Sequence, residues 1–442
     1  MTHLEMKTMR LPRAILAVFG ISFVYWVYLA LRWSFCSDVI GYKELGGIFY
    51  RHGLIGYAST GLHREPLYPF LCSLAMSIQS LSGITFTHVM AGFSVLILVI
   101  TQILMYIILR ELNIRTWVCS LTLLYWALST AITSSAFNML LFCEIITYPF
   151  ITAAVIAGYY GWKAVKENNK KTACCWGAVT GVMFMALTFV KAVFECICPL
   201  YLLFFMVLCL FKNKISTSLV CFLAAAGILF YVPVIGYKSL NKIYNGNYAI
   251  ADRGPNTLYG VAAHRTFPFN FRSYLAKLTS VAGDDVCIKY FREEECSYWS
   301  WHLTDALGAD KMNELKRAGL PPQIVTEDLL GLSIEKVIGN LPKYTLLTAT
   351  ESLKAYFWEG TNGLIPLHFI MAILTFFSMF YCFLLFKSLP DLMKHVLAII
   401  LFFIFFNSLF EVSQRHFLPV VPLYLLVIGY AFNSFFRTVR NF

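Results

Sequence analysis

The chain has 442 residues, of which 59% are hydrophobic and only 13% charged, with a net charge of +11. Soluble domains carry about 25% charged residues, so a soluble globular protein is excluded, and the long uncharged runs that recur along the sequence are those of a polytopic membrane protein. The basic residues are scattered over many short connections, which argues against nucleic acid as a partner and for anionic lipid headgroups or anionic substrates.

A hydrocarbon core of roughly 30 Å needs about 20 helical residues. Ten runs meet that measure: 14–33, 86–109, 117–136, 139–161, 173–190, 192–211, 216–236, 364–386, 395–412 and 417–436. The expected fold is therefore an all-α polytopic membrane protein of about ten transmembrane helices with two larger extracytoplasmic segments. Residues 1–236 form an N-terminal transmembrane module containing the first external loop, 34–85. Residues 237–363 form a polar loop or domain, and 364–442 the last spans. Met1–Arg13 is a basic lead, and Ala14–Leu31 reads as a retained anchor rather than a cleaved signal. Pro66–Ile78 is apolar but short, so it reads as interfacial or re-entrant.

The short connections fix the expected orientation. Met1–Arg13, Arg110–Arg115, Trp162–Thr172, Lys212–Lys214, Lys387–Lys394 and Arg437–Phe442 each carry at least two Lys or Arg, whereas the connections near 137–138, 191 and 413–416 carry few. By the positive-inside rule, both termini lie in the cytoplasm of a cell-membrane protein, and the segments 34–85 and 237–363 lie outside. Within the second, Asn245–Gly260 is rich in turn formers. Ala306–Gly319 has helical spacing that Pro321-Pro322 breaks, and Ser333–Leu341 and Tyr344–Trp358 read as amphipathic helices. There is no internal repeat, which weakens transporter folds built from two related halves.

Most of the thirteen cysteines sit in apolar runs, where they act as small hydrophobes. Cys287 and Cys296 share the long polar segment and would pair as a disulfide if it is extracytoplasmic. No metal-ligand spacing is present: His52, His63 and His416 fall on the outer side without a common pattern. Gly177 and Gly181 form a GxxxG pattern, read as helix packing.

Charged residues at the outer face are the candidates for chemistry. Asp38 lies just beyond the first span, among Tyr42, Lys43, Tyr50, Tyr57 and Tyr68. Arg64 precedes a helix start. Lys191 sits between two apolar runs with almost no loop, and Glu144 stands about five residues inside a span. Ionisable residues at such depth are costly and often functional. Glu144 would alternatively brace the first loop through Arg51 or Arg64, and Glu195 would pair with Lys191 at i, i+4. Arg415 and His416 occupy the connection before the last span, beside Glu411.

The order of these features resembles the GT-C superfamily of membrane glycosyltransferases, in particular the branch of protein O-mannosyltransferases and lipid A aminoarabinose transferases. That family has an acid in the first external loop followed by Arg-x-Pro-Leu-Tyr-Pro, here similar to Asp38 and Arg64-Glu65-Pro66-Leu67-Tyr68-Pro69. It also has an acid near the start of a later span (Glu144 in NMLLFCEIITYPF) and a span ending in a basic residue before Pro (Lys191 in TGVMFMALTFVKAVFECICP). Near the C-terminus it has Arg-Tyr-x-x-Pro-x-x-Pro, similar to RHFLPVVP at Arg415–Pro422. The chain departs from the pattern in three places. Ser37-Asp38 stands where many relatives have two adjacent acids, His416 replaces Tyr, and Lys191 is not followed directly by Pro.

The resemblance implies transfer of a sugar from a polyprenyl-phosphate donor to a hydroxyl or phosphate of a glycan, lipid or protein on the extracytoplasmic face. Phosphate is a good leaving group, so one carboxylate suffices to take the acceptor proton, and cations must hold the departing phosphate. The expected base is Asp38, with Glu144 as a supporting acid. Arg64, Lys191 and Arg415 are the phosphate-binding candidates, and Tyr42, Lys43, Tyr68 and His416 the substrate groove. No cofactor is indicated. Two other classes compete: a flippase or transporter of a lipid-linked or anionic solute, with charges at the bilayer midplane, and an O-antigen polymerase or ligase, for which Arg253, His264, Arg265 and Arg272 would serve.

Overall fold

The computed structural model describes residues 11–32, 37–61, 64–138, 143–211, 216–251, 253–357, 365–410 and 414–439. All regular structure among them is helical. The N-terminal module runs α1 (Arg13–Ala30), α2 (Ser37–Ser59), α3 (Leu67–Ser82), α4 (Phe86–Glu111), α5 (Thr116–Leu128), α6 (Thr130–Thr133), α7 (Cys143–Lys166), α8 (Lys170–Val190), α9 (Phe194–Phe211) and α10 (Thr217–Asn245). A polar insertion follows, with α11 (Arg253–Arg265), α12 (Phe271–Ser280), α13 (Asp284–Ile288), α14 (Glu293–Ser297), α15 (Trp301–Arg317), α16 (Pro322–Gly339) and α17 (Leu341–Ser352). The chain closes with α18 (Ile365–Leu384), α19 (Asp391–Phe410) and α20 (Val421–Val439).

Among the described residues, eight helices are long and apolar enough to cross a membrane, and a ninth span results if the bent pair α5 and α6, 41° apart, is counted as one. These nine coincide with nine of the ten expected runs. The remaining run is α18, whose stretch Phe369–Leu384 is apolar but shorter. The protein is an all-α polytopic membrane protein.

Two expectations change. The segment after α1 is not a loop: 23 of its residues form α2. Its glycines suggest irregular chain, but Tyr42, Leu45 and Phe49 recur at helical spacing and pack into the core beside α3. Gly53 takes φ +65° and kinks the helix there, a backbone region that costs glycine little. The seventh span is also longer than read, continuing past 236 to Asn245.

Polar pins hold the apolar helices in register. Gln102 of α4 donates to Ser22 Oγ of α1 (2.8 Å) and to the Leu123 carbonyl of α5 (3.1 Å). The break between α5 and α6 frees backbone groups, and these are met by side chains. Ser129 caps α6, Trp26 Nε1 donates to the Ala127 carbonyl (3.1 Å), and Ser94 donates to the Ala136 carbonyl (3.1 Å). At the opposite end of the bundle from Lys191, Lys163 and Tyr160 of α7 bond Glu111 at the end of α4, and Trp162 donates to Asp391 at the start of α19 (3.0 Å).

The GxxxG pair does pack helices. α8 lies between α7 and α10, and Gly177 and Gly181 bring its backbone against the carbonyls of Phe222 and Ala226 on α10. A methyl group at either position would overlap those carbonyls. Gly181→Ala is therefore expected to cost about 1–3 kcal/mol through forced separation of the helices. Gly227→Ala, where an added methyl group would meet no neighbouring helix or side chain within 4 Å, should not lower the thermal midpoint of the detergent-solubilised protein.

Candidate functional site

The site is assembled from three helix junctions. At the first, α2 returns toward α3. Asp38 lies in the first turn of α2, one turn before Tyr42. The Tyr42 ring meets Tyr68 of α3 edge-on at 4.3 Å between centroids, and the Arg64 guanidinium lies 5.4 Å from the Tyr42 ring, within range for a cation–π contact. Tyr57, fully buried, donates its hydroxyl to the Arg64 carbonyl (2.8 Å) and fixes the turn before α3. Lys43 lies over the Phe86 ring at the start of α4 (5.2 Å), so it serves packing there rather than the Tyr42–Tyr68 pair.

At the second junction α8 ends. Lys191 is its C-cap and leaves helical geometry for extended backbone, φ −149° and ψ 113°, before α9 begins at Phe194. Its side chain stays in the protein: Lys191 is 8% exposed. Its ammonium lies 3.7 Å from Oε1 of Glu144, itself 3% exposed, in the first turn of α7. That corrects the expected Lys191–Glu195 pair. The i, i+4 register requires continuous helix, and the extended residue interrupts it. Glu195 instead pairs with Lys238 of α10 (2.7 Å). Arg51, one expected partner of Glu144, donates to the Gly47 carbonyl (3.1 Å).

Glu65 joins the two junctions. Its Oε1 accepts from the backbone N–H of Ala192 (3.1 Å), across 127 positions of sequence. Sequence reasoning gave Glu65 no role, although it stands inside the Arg64–Pro69 motif. Tyr42, Tyr68, Arg64, Glu65, Lys191 and Glu144 thus form one connected group.

The third junction is the 3-10 helix Gln414–Val420, which carries Arg415 and His416 and packs against α7, the helix of Glu144. His416 is half-buried there. The Arg415 side chain, Glu411 and His63 lie outside the described residues, as does the side chain of Asp38. Among the described residues no group of three or more His, Cys, Asp or Glu side chains could hold a metal ion.

A second concentration of charge, missed in the sequence, lies inside the insertion. Lys277 of α12 and Lys354 both pair with Glu351 of α17, and all three are buried. Arg265, also buried, donates to Thr348 Oγ1 (2.8 Å) and to the Leu409 carbonyl of α19 (3.3 Å). His264 lies between Thr304 Oγ1 and the Tyr298 carbonyl and stacks on Trp299. Arg272 is exposed and forms a two-point pair with Glu295, and the Arg253 side chain lies outside the described residues. Of the residues that would have served a polymerase or ligase, His264, Arg265 and Arg272 are thus engaged in packing and pairing. Burial and the neighbouring cations push Lys277 well below the usual lysine range, and burial pushes Lys354 down to about 8. Cys287 and Cys296 form a disulfide between α13 and α14.

The chain matches no family model, and no curated protein is measurably similar to it in sequence.

Two outcomes follow from these pairs. Lys191→Ala removes a cation from beside the buried Glu144 carboxylate, a loss of up to about 3–5 kcal/mol. The double variant Lys191→Met, Glu144→Leu should recover most of it, read as the thermal midpoint. Burial, with Lys277 next, holds His264 down to about 3 from an ordinary 6.5. The unfolded chain then binds the extra proton between those values, so stability falls as pH drops from about 6.5 toward 3. His264→Gln should flatten that part of the stability profile between pH 7 and 5.

Proposed function

We propose that this protein is an integral-membrane glycosyltransferase of the GT-C type. It would move a sugar from a polyprenyl-phosphate donor to a hydroxyl or phosphate of a glycan, lipid or protein at the extracytoplasmic face. The observation that supports this most is the bond from Glu65 to the Ala192 N–H. It joins the Arg64–Pro69 motif to the junction of Lys191, two stretches that the resemblance makes parts of one site.

In this reading the acceptor oxygen attacks the anomeric carbon from the face opposite the phosphate. A new carbon–oxygen bond forms, the bond to the phosphate oxygen breaks, and the phosphate departs with its electron pair. The acceptor proton passes to the Asp38 carboxylate, and the anomeric configuration inverts. Arg64, held over Tyr42, presents the planar fork suited to a phosphate. Lys191 and Arg415 add charge from the ends of α8 and of the Gln414–Val420 turn, and developing charge is best met by groups already fixed in place. Glu144 tethers the Lys191 ammonium, and Tyr42 and Tyr68 pack together beside Arg64 at the first junction.

The same reading gives the topology. Both termini lie in the cytoplasm, and α2, α3 and the insertion lie outside, where the Cys287–Cys296 disulfide suits an oxidising compartment.

Asp38→Asn should abolish sugar transfer, with a loss of at least about 10²-fold expected for a missing general base, while binding of the polyprenyl-phosphate sugar stays within a factor of two. The measurement is transfer from a radiolabelled polyprenyl-phosphate sugar into membrane acceptors, beside binding of the same lipid to purified protein. Undiminished transfer by the variant would remove Asp38 from the mechanism.

A further inference from the structure

The insertion carries a crevice that the proposed transfer does not use. Its volume is about 560 Å³, within the span of roughly 300–1,000 Å³ typical of small-ligand sites. Phe269, Asn270, Ser273, Glu294, Glu295 and Tyr298 line it. The residues come from the start of α12, from α14 and from the turn after it, and the Cys287–Cys296 bond anchors α14 directly beneath.

Contacts among the lining residues and with Trp299 and Tyr274 hold the walls. Tyr298 donates its hydroxyl to the Pro268 carbonyl (2.9 Å) and packs edge-on against Trp299. Trp299 is buried and donates to the Ser273 carbonyl (2.8 Å). Phe269 packs against both Tyr274 and Trp299. Asn270 Oδ1 accepts from the Ser273 N–H (2.8 Å) and caps α12. That bond uses the amide oxygen, so the amide NH2 remains a donor. Asn270 and Glu294 are both exposed, and neither the Glu294 carboxylate nor the Ser273 hydroxyl has a bonding partner among the described residues.

The charges select the ligand class. Glu295 is already neutralised by Arg272 at 2.7 and 3.3 Å. Behind the aromatic wall Lys277 lies over the Trp299 ring at 5.3 Å, with Lys354 and Arg265 close by in the same buried group. The exposed Glu294 carboxylate at the rim disfavours an anion, and the buried lysines behind the wall are paired with Glu351, so they call for no anionic ligand. A neutral molecule that offers many hydroxyls and one apolar face suits such a wall. Aromatic rings supply the apolar contact, and a carboxylate, an amide donor and a hydroxyl supply directional hydrogen bonds.

We propose that this crevice is a saccharide-binding site, taking a neutral sugar ring against Phe269 and Tyr298 with its hydroxyls on Glu294, Asn270 and Ser273. Binding defines the site without any transfer step, so it stands or falls separately from the glycosyltransferase reading.

The test is saturation-transfer NMR and calorimetry on the full chain, held in a detergent without a sugar headgroup. The probes are methyl glucoside, methyl mannoside, methyl galactoside and N-acetylglucosamine, with choline chloride and inorganic phosphate alongside. At least one saccharide should bind. Glu294→Ala should weaken it about tenfold, the size expected for one lost charged hydrogen bond. Asn270→Asp keeps the helix cap and removes the amide donor, and it too should weaken binding, with the thermal midpoint of both variants unchanged. Absence of binding by all four saccharides, equal binding by wild type and variants, or preference for choline or phosphate would each overturn the proposal.

Discussion

A lysine that ends a helix inside an apolar bundle needs a counter-charge, and the arrangement at one end of this protein follows from that need. Lys191 leaves α8 in extended conformation, and its ammonium meets Glu144 at the start of α7. Two ions withdrawn from water lose several kcal/mol of hydration each, and their pairing offsets part of that cost. The pair therefore fixes where α8 ends relative to where α7 begins. Because Lys191 is not helical, the next backbone N–H, that of Ala192, is left for Glu65. Glu65 in turn fixes the approach to α3, and with it Arg64, Tyr42 and Tyr68. A conformational choice at one residue reaches the α2–α3 segment through two carboxylates.

The spans were largely legible in the sequence, because twenty apolar residues admit little besides a helix in a bilayer. The GxxxG contact was legible for the same kind of reason, since only the smallest side chains allow two backbones to touch. The helix α2 was not. Glycine-rich chain carries a weak local signal, and its apolar stripe of Tyr42, Leu45 and Phe49 acquires meaning only once α3 is present to receive it.

The candidate site was legible as a set of positions and illegible as a set of partners. Asp38, Glu144, Arg64, Lys191 and Arg415 stand out because charges next to apolar runs are rare. Which carboxylate meets Lys191 depends on whether residue 191 is helical, and sequence spacing assumes that it is. The Lys277–Glu351–Lys354 group escaped notice for a different reason. Its members are spread over a polar segment where a charged residue is unremarkable until burial is known, and burial arises from packing among α11, α12 and α17.

The Leu409 carbonyl accepts from both Arg265 of α11 and the Tyr344 hydroxyl of α17, at 3.3 and 3.0 Å. It is one of the last carbonyls of α19, which no helical N–H can reach. Two helices of the insertion therefore grip the same loose end of a spanning helix. A displacement of the insertion that keeps both bonds draws the end of α19 with it, and the turn bearing Arg415 and His416 begins a few residues further on. The insertion and the spanning helix are thus geared together at one carbonyl rather than tethered by the chain alone.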